Sequence, residues 1–278
     1  MRIVVADEAG ACYGVNRALD MVRDATRTAR GPIHTLGPLI HNPTVVAELE
    51  REGVGVVEEA DDEPGGTLLL RTHGVTPDEE VAARRSHDSV LDATCPFVVR
   101  AHNAAERLVA EGYQVIVFGE AGHPEVEGTL GHAPGAVTIE SAADVEGLAL
   151  NRKVGVVVQT TQSRAQLREV VAALVGRTEE LRVFDTICEA TSSRQAAAAR
   201  LASSVDVMIV IGGRISANTT RLAEICATRC KGTHHIEGAD ELEASWFKGA
   251  KTCGVTAGAS TPQTQIDEVV SAIGKVAG

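Results

Sequence analysis

The 278-residue chain is 44% hydrophobic but only 3% aromatic, so it can bury one large aliphatic core or two to three small ones. Lys and Arg number 26 against 38 Asp and Glu, and the resulting formal charge of −12 disfavours nucleic-acid binding. The start, MRIVVADEAG, offers no signal-peptide apolar region, and the longest apolar stretch, VMIVI, is too short to span a bilayer. We therefore expect a cytoplasmic protein that contacts neither nucleic acid nor membrane.

The first predicted strand leads into a cysteine, and this arrangement recurs twice along the chain. The segments IVVADEAGAC, SVLDATC and RVFDTIC each predict a strand, a short polar loop and a cysteine that begins a helix. Because strands alternate with helices throughout, the sequence predicts α/β units with parallel sheets. We place these units at 13–95, 96–187 and 188–278, joined by the N-terminal strand within 1–12. An arginine follows each cysteine after five or six positions, and the pairs are Cys12 and Arg17, Cys95 and Arg100, and Cys188 and Arg194.

Other predicted strand ends carry polar residues instead of cysteine. In GEAGHPEVEGT, residues 119–129, a glycine-rich loop follows an apolar run, and Pro124 suits the first turn of a helix. His123 and Glu125 then lie where backbone N–H groups gather at the carboxyl end of a strand, which is a natural anion site. This composition is typical of a site that hydrogen-bonds phosphate oxygens. Similar positions are held by His41, His73, Thr160, Ser216, Asn218 and Ser260.

The six cysteines fall into two groups. Cys226 and Cys230 lie four positions apart on one predicted helix face, and Cys253 lies in an apolar strand, so we interpret all three as buried structural residues. The cysteines that begin helices occupy equivalent positions, which allows their thiolates to converge. Three converging thiolates fit an iron–sulfur cluster with one iron open to an exogenous ligand, or a zinc ion with an open position. Simple burial is the third interpretation.

Several other polar residues have ordinary interpretations. Glu127 points to a different helix face from Glu125, where a solvated or capping carboxylate is the default. The Ser and Asn of SANTTRL can cap a helix as well as bind phosphate. We interpret Trp246 as a packing residue. Surface or core packing is also expected for His34, His87, His102, His132, His234 and His235.

Nine short motifs occur in an order that resembles one enzyme family. They are ACYGV, LIHNPTVV, THGV, DATCP, AGHPEVEGT, QTT, ICEAT, NTTRL with a serine before it, and VTAGAS, and they cover residues 1 to about 270. Each is only moderately specific by itself, but THGV, DATCP and GHPEVEGT are particularly characteristic. The chain resembles the LytB-type 4-hydroxy-3-methylbut-2-enyl diphosphate reductases, the iron–sulfur enzymes that complete the non-mevalonate pathway of isoprene biosynthesis.

The resemblance implies a role for each matching residue. Cys12, Cys95 and Cys188 match the ligands of a [4Fe-4S] cluster with one iron open to the substrate hydroxyl. Glu125 matches the proton donor, and Thr160 matches the hydroxyl that assists it. The family has three α/β units in a pseudo-threefold arrangement around the central cluster. The residues that match diphosphate ligands are His41, His73, His123, Ser216, Ala217, Asn218 and Ser260, and His123 is also expected to assist catalysis.

The resemblance also implies a reaction and its partners. It is the reductive dehydroxylation of an allylic diphosphate to isopentenyl and dimethylallyl diphosphate, with electrons from a ferredoxin or flavodoxin type donor. We expect a raised pKa for Glu125, because a diphosphate places like charge beside it. Some family members carry Ser-Ser-Asn where this chain has Ser216-Ala217-Asn218, so one hydroxyl is missing. The alternative function is a zinc-dependent hydrolase or transferase that acts on a diphosphate.

Overall fold

The computed structural model describes residues 1–276. Within them, three parallel sheets of four strands each confirm the predicted α/β class. The strands are β1 (Arg2–Val5), β2 (Ile33–Leu36), β3 (Val54–Val57), β4 (Thr67–Leu70), β5 (Ser89–Asp92), β6 (Gln114–Phe118), β7 (Val137–Ile139), β8 (Lys153–Val158), β9 (Glu180–Phe184), β10 (Val207–Ile211), β11 (Thr233–Ile236) and β12 (Thr252–Ala257).

Helices follow most of these strands, and four of them begin at a proline. Proline suits the first helical position because its φ is already helical and its missing N–H would have no partner there. The α-helices are α1 (Tyr13–Thr28), α2 (Pro43–Arg51), α3 (Pro77–Ser86), α4 (Pro96–Ala110), α5 (Pro124–Gly131), α6 (Arg164–Leu174), α7 (Glu189–Ala202), α8 (Ala217–Ala227) and α9 (Gln263–Val276). Short 3-10 helices lie at Ala142–Gly147, Ala239–Glu241 and Ala244–Phe247. No helix in residues 1–276 is both long and apolar enough to cross a membrane.

The three sheets share one strand order when each is read from the edge strand that precedes a cysteine. The orders are β1-β12-β10-β11, β5-β4-β2-β3 and β9-β8-β6-β7, with every neighbouring pair parallel. In each sheet, the second and third strands of this order are followed by loops that carry other predicted site residues. Because the carboxyl ends of parallel strands gather at one edge of a sheet, this order brings several loops together at that edge. The repeat predicted from the cysteines is therefore present in the strand order.

Aliphatic residues fill the space on both faces of the sheets. In β8 the run Val156, Val157 and Val158 is fully buried, and in β10 Met208 to Ile211 are likewise inaccessible. Such continuous apolar strands are typical of parallel sheets covered on both faces. The chain forms two compact units. The first comprises Met1–Val15, His41–Val45 and the chain from Glu189, and it holds the sheet that contains β1. The second comprises Asn16–Ile40 and Val46–Cys188, and it holds the other two sheets.

Candidate active site

The three cysteines that follow edge strands are held in the same way. Each lies directly before or at the start of a helix, as the sequence predicted. The backbone N–H of each donates to a carbonyl in the loop after the neighbouring strand. These bonds join Cys12 to Ala259 at 3.0 Å, Cys95 to Thr72 at 3.0 Å and Cys188 to Thr160 at 3.1 Å. Each cysteine loop is thus tied to a loop that carries another predicted site residue, namely Ser260, His73 or Thr160 itself.

The two groups of cysteines differ in burial. Cys12, Cys95 and Cys188 are half-buried, whereas the other three are buried. Burial raises the pKa of Cys226 and of Cys253 to about 12, so neither forms a thiolate near neutral pH. Their expected structural role is consistent with this burial. The predicted shared helix face was wrong, because α8 ends at Ala227 and Cys230 lies beyond it.

The donor chemistry of the half-buried thiols fits a thiolate-bound group. An accessible cysteine at a helix start is suited to ligate iron or zinc, since the thiolate is the ligating form. Cys12 belongs to the first compact unit, and Cys95 and Cys188 belong to the second. No group of three or more His, Cys, Asp or Glu side chains within residues 1–276 is already arranged to hold a metal ion. The three-thiolate set therefore stays a prediction.

Glu125 and Thr160 are joined by two hydrogen bonds in the second unit. Glu125 lies in the first turn of α5, and Thr160 lies in the loop after β8, the strand that neighbours β6. The Thr160 backbone N–H donates to Glu125 Oε1 at 2.6 Å, and Thr160 Oγ1 donates to Oε2 at 2.8 Å. The Glu125 residue is only 3% exposed. Both carboxyl oxygens are consequently fixed by one residue inside the protein.

This environment sets the protonation of the Glu125 carboxyl group. Burial raises its pKa from 4.5 to about 7, while the two Thr160 hydrogen bonds oppose the rise and the charge of Glu120 adds to it. The expected raised pKa is thus present without a phosphate group. Its main cause is burial rather than the like charge anticipated from the sequence.

His123 caps the helix that carries Glu125. Its Nδ1 accepts the backbone N–H of Glu125 at 3.1 Å, as an N-cap residue does. Since Nδ1 is the acceptor, this bond favours the neutral tautomer with its proton on Nε2. The His73 ring lies edge-on to His123, with ring centroids 5.6 Å apart and an interplanar angle of 84°. The structure therefore brings two of the predicted diphosphate ligands together, beside the helix turn of the predicted proton donor.

Asn42 links two predicted diphosphate ligands in the first unit. Its side-chain nitrogen donates to the Ser260 carbonyl at 2.8 Å and to Gln265 Oε1 at 3.2 Å. Its Oδ1 accepts two backbone N–H groups from the first turn of α2. Ser260 Oγ in turn donates to the His41 carbonyl at 3.2 Å. His41 and Ser260, which are 219 positions apart in the chain, are in this way held side by side.

The loop before α8 also approaches His41 closely. A Cβ at Gly213 would lie 2.8 Å from the His41 carbonyl oxygen, so glycine is required for this approach. Ser216 caps α8, and its Oγ accepts the Thr219 N–H at 3.4 Å. The capping interpretation of Ser216 is confirmed. Because the cap uses the oxygen only as an acceptor, the hydroxyl proton stays available for a ligand.

Asn218 has a buried amide with no hydrogen-bond partner in the part of the chain that the structure describes. The residue is 4% exposed, and neither Nδ2 nor Oδ1 has a hydrogen-bond partner within residues 1–276. A buried amide left in this condition costs about 1–3 kcal/mol, so native proteins rarely retain one without a reason. Asn218 lies in the first turn of α8, where backbone N–H groups also lack helical partners. The start of α8 thus combines unsatisfied donors in the manner of an anion site.

Comparison with known proteins assigns the chain to a family. The LytB protein family matches residues 3–274. The chain belongs to the LytB family. Among its relatives, the 4-hydroxy-3-methylbut-2-enyl diphosphate reductase of Citrifermentans bemidjiense is 48% identical over 278 residues, covering 99% of this chain and 98% of its own length. The reductase of the same name from Geobacter sulfurreducens is 49% identical, covering 98% and 97%.

Two solved structures extend the LytB assignment to the fold. One is the structure of (E)-4-hydroxy-3-methyl-but-2-enyl diphosphate reductase, the terminal enzyme of the non-mevalonate pathway. It aligns with a TM-score of 0.72 at 41% identity and covers 99% of this chain and 100% of that one. The other is E-1-hydroxy-2-methyl-but-2-enyl-4-diphosphate reductase from Plasmodium falciparum. It aligns with a TM-score of 0.91 at 28% identity and covers 97% of this chain and 87% of that one.

Residues of this LytB chain that the sequence left as ordinary are mostly found in packing or capping positions. Glu127 Oε1 accepts the Gly122 N–H at 3.2 Å, so the capping interpretation is confirmed. Trp246 stacks on His234 with ring centroids 3.9 Å apart. Burial, together with the neighbouring His132, lowers the pKa of His102 to about 4, and the two rings stack.

Asn42 is the residue that the sequence reading missed. It is 1% exposed and its amide binds the carbonyl of Ser260, a predicted ligand, yet the sequence indicated only its neighbours. A signal was present, because Asn directly before a proline that can begin a helix is an N-cap pattern. What the pattern could not show is the second use of the amide, its bond to a loop 218 positions away.

Proposed function

We propose that this chain reduces 4-hydroxy-3-methylbut-2-enyl diphosphate to isopentenyl and dimethylallyl diphosphate. The observation that carries the proposal is the buried pair of Glu125 and Thr160 at the carboxyl end of a parallel sheet, in a chain 48% identical to a reductase of that name. A carboxyl group with a pKa of about 7 is protonated in about half of the molecules at neutral pH and can release that proton to a bound substrate.

The proposed reaction breaks the C–O bond of the allylic hydroxyl and forms a C–H bond. It consumes two electrons and two protons and releases water. Glu125 delivers protons, either directly or through the substrate phosphate, and Thr160 keeps the carboxyl group in one orientation. The burial of this pair also excludes bulk water from the proton-transfer step. We assign the supply of electrons to a ferredoxin or flavodoxin type donor.

The proposed cofactor is a [4Fe-4S] cluster held by Cys12, Cys95 and Cys188, with one iron open to the substrate. Support comes from the three half-buried thiols and from their shared attachment to neighbouring loops. When bound, such a cluster supplies electrons and a Lewis-acidic iron for the hydroxyl oxygen. The zinc-dependent hydrolase or transferase is the less favoured alternative, because the relatives are named as reductases.

The proposed diphosphate site relies on local donors, because the net charge of −12 repels an anionic substrate at long range. The Asn218 amide gains the hydrogen-bond partners that residues 1–276 do not provide, and the Ser216 hydroxyl donates its proton. The backbone N–H of Ala217, at the first position of α8, adds a donor aligned with the helix dipole. The remaining proposed ligands are His41, His73, His123 and Ser260.

Two further predictions belong to this proposal. The division into units 13–95, 96–187 and 188–278, with the strand within 1–12 as a link, is supported by the shared strand order of the three sheets. The cytoplasm is the proposed compartment, since ferredoxin or flavodoxin donors and reduced thiols are expected there.

Anaerobic purification followed by metal and sulfide analysis tests the function. We expect near-stoichiometric iron and acid-labile sulfide, broad visible absorption, and turnover of the allylic diphosphate when a low-potential reductant is supplied. Zinc as the only metal, together with no turnover in iron-reconstituted protein, would contradict the proposal. Binding of inorganic diphosphate, measured by calorimetry on the same preparation, reports on the anion site independently of the metal.

A further inference from the structure

The arginines that follow the cysteines have no part in the function proposed so far. Arg17 lies in α1, which begins after Cys12, yet its guanidinium reaches the loop before Cys95. Its Nη1 donates to the Thr94 carbonyl and its Nη2 to the Asp92 carbonyl, both at 3.2 Å. One guanidinium thus holds two carbonyls of a four-residue stretch that ends at a cysteine.

Arg194 makes the corresponding contact in the first unit. It lies in α7, which begins after Cys188, and its Nη2 donates to the Gly10 carbonyl at 2.8 Å. Gly10 precedes Cys12 by two residues and has a φ of +104°, so this part of the loop is shaped by a glycine conformation. Arg194 is 4% exposed, and a guanidinium buried to this extent needs acceptors for its N–H groups, of which the Gly10 carbonyl is one. The loop before Cys12 is therefore held by a side chain of α7.

The loops that end at Cys95 and Cys12 are each held by a backbone hydrogen bond and by an arginine. The Cys95 N–H is bound to the Thr72 carbonyl, and the residues before it are bound by Arg17. The Cys12 N–H is bound to the Ala259 carbonyl, and Gly10 is bound by Arg194. In each loop the guanidinium thus adds a charged donor to the backbone attachment of the cysteine.

We propose that Arg17 and Arg194 are positioning residues that hold Cys95 and Cys12, respectively, in the orientation needed to ligate the cluster. This inference rests on the proposed iron–sulfur function. In two of the three Cys and Arg pairs, the arginine that follows one cysteine binds the loop of another cysteine. Arg100, the third arginine of the pattern, is exposed and instead lies over the Phe97 ring at 5.8 Å. It serves as the matched control.

The first test is backbone hydrogen exchange on cluster-free full-length protein, followed by mass spectrometry of peptides. We expect Arg194→Gln to speed exchange roughly tenfold in the peptide that contains Gly10 and Cys12 and to leave the Cys95 peptide unchanged. Arg17→Gln should have the opposite selectivity, and Arg100→Gln should change neither peptide. Equal exchange in parent and variants would overturn the proposal. Because Arg17 is half-buried, its variant remains informative if the buried Arg194 variant fails to fold.

The second test measures iron release to a chelator from anaerobically reconstituted protein. Roughly tenfold faster release is expected from Arg17→Gln and Arg194→Gln, and parent-like release from Arg100→Gln. Loosened loops with parent-like release would show a purely structural role and would contradict ligand positioning. A parent protein that binds no iron would instead contradict the proposed function, while the exchange result would still report on the loops.

Discussion

The Glu125 carboxyl group and the Asn218 amide are both buried in the first turns of helices that follow parallel strands, but they differ in how they are satisfied. Both oxygens of Glu125 accept hydrogen bonds from Thr160. Neither polar atom of Asn218 has a partner within residues 1–276. The proposed proton donor needs a fixed orientation and a raised pKa, and Thr160 and burial provide them. The proposed anion ligand has to keep its donors available, which costs stability until an anion binds.

The largest expected effect comes from removing the tuned acid. Glu125→Gln keeps the size of the side chain and one acceptor oxygen for Thr160, while its NH2 group can only donate to the Thr160 hydroxyl. The amide cannot release a proton at neutral pH. We expect kcat to fall about 100-fold or more, with KM changed far less, because general acid catalysis typically contributes a factor of 10² to 10⁴. Steady-state turnover with a chemical reductant measures this. Glu127→Gln, on the same helix, is the control and should stay close to the parent; equal activity of the two variants would refute the assignment of Glu125.

The raised pKa of Glu125 also predicts a dependence of stability on pH. Between pH 4.5 and about 7 the unfolded chain loses this proton while the folded chain keeps it, so the free energy of unfolding falls as pH rises. The total loss from this group is about 3 kcal/mol, because each pKa unit corresponds to about 1.4 kcal/mol. Denaturant unfolding of the parent and of Glu125→Gln at a series of pH values isolates it. The variant should gain stability relative to the parent across this window and no further above it.

Thr160→Val tests how much the Thr160 hydroxyl lowers the pKa of Glu125, by the same measurement of stability against pH. It removes the hydroxyl that donates to Oε2 but keeps the backbone N–H that donates to Oε1. Since both bonds lower the pKa of Glu125 against burial, the pKa should rise further and the pH window should extend to higher values. An unchanged window would mean that the hydroxyl does not stabilise the carboxylate.

At Asn218 we expect a substitution that preserves stability but weakens the binding of diphosphate. Asn218→Leu removes an amide that has no hydrogen-bond partner among the described residues, so stability should be retained or rise by about 1 kcal/mol. The affinity for inorganic diphosphate should nevertheless fall roughly 10- to 100-fold, since a hydrogen bond to a charged group is lost. Calorimetric titration and denaturant unfolding of the same protein give the two numbers. Asn218→Asp adds like charge and should bind even more weakly; parent-like affinity in either variant would remove Asn218 from the site.

The regions around Glu125 and around α8 show which features the sequence could predict and which it could not. Pro124 and the glycines before it locate the start of α5, so the position of Glu125 followed from local rules. Its bond to Thr160, 35 positions away, depends on β6 and β8 being neighbours, which no local pattern specifies. The main cause of the raised pKa was missed for the same reason, because burial is a property of the assembled sheet and helices. The end of α8 before Cys230 was also missed, since nothing in LAEICATRC marks a stop.

The smallest expected effect concerns Ala217, which stands where some family members carry a serine. Ala217 begins α8 between Ser216 and Asn218, and it is 6% exposed. Ala217→Ser would add a hydroxyl beside the amide of Asn218, and the proposed diphosphate would gain one more donor. We expect a gain of about 1 kcal/mol, or roughly fivefold in affinity for inorganic diphosphate, unless a water already supplies that bond. Calorimetry on parent and variant decides this, and Ala217→Gly controls for a change in the helix start. No gain in affinity would show that Ser216, Asn218 and the backbone already satisfy the anion on this side.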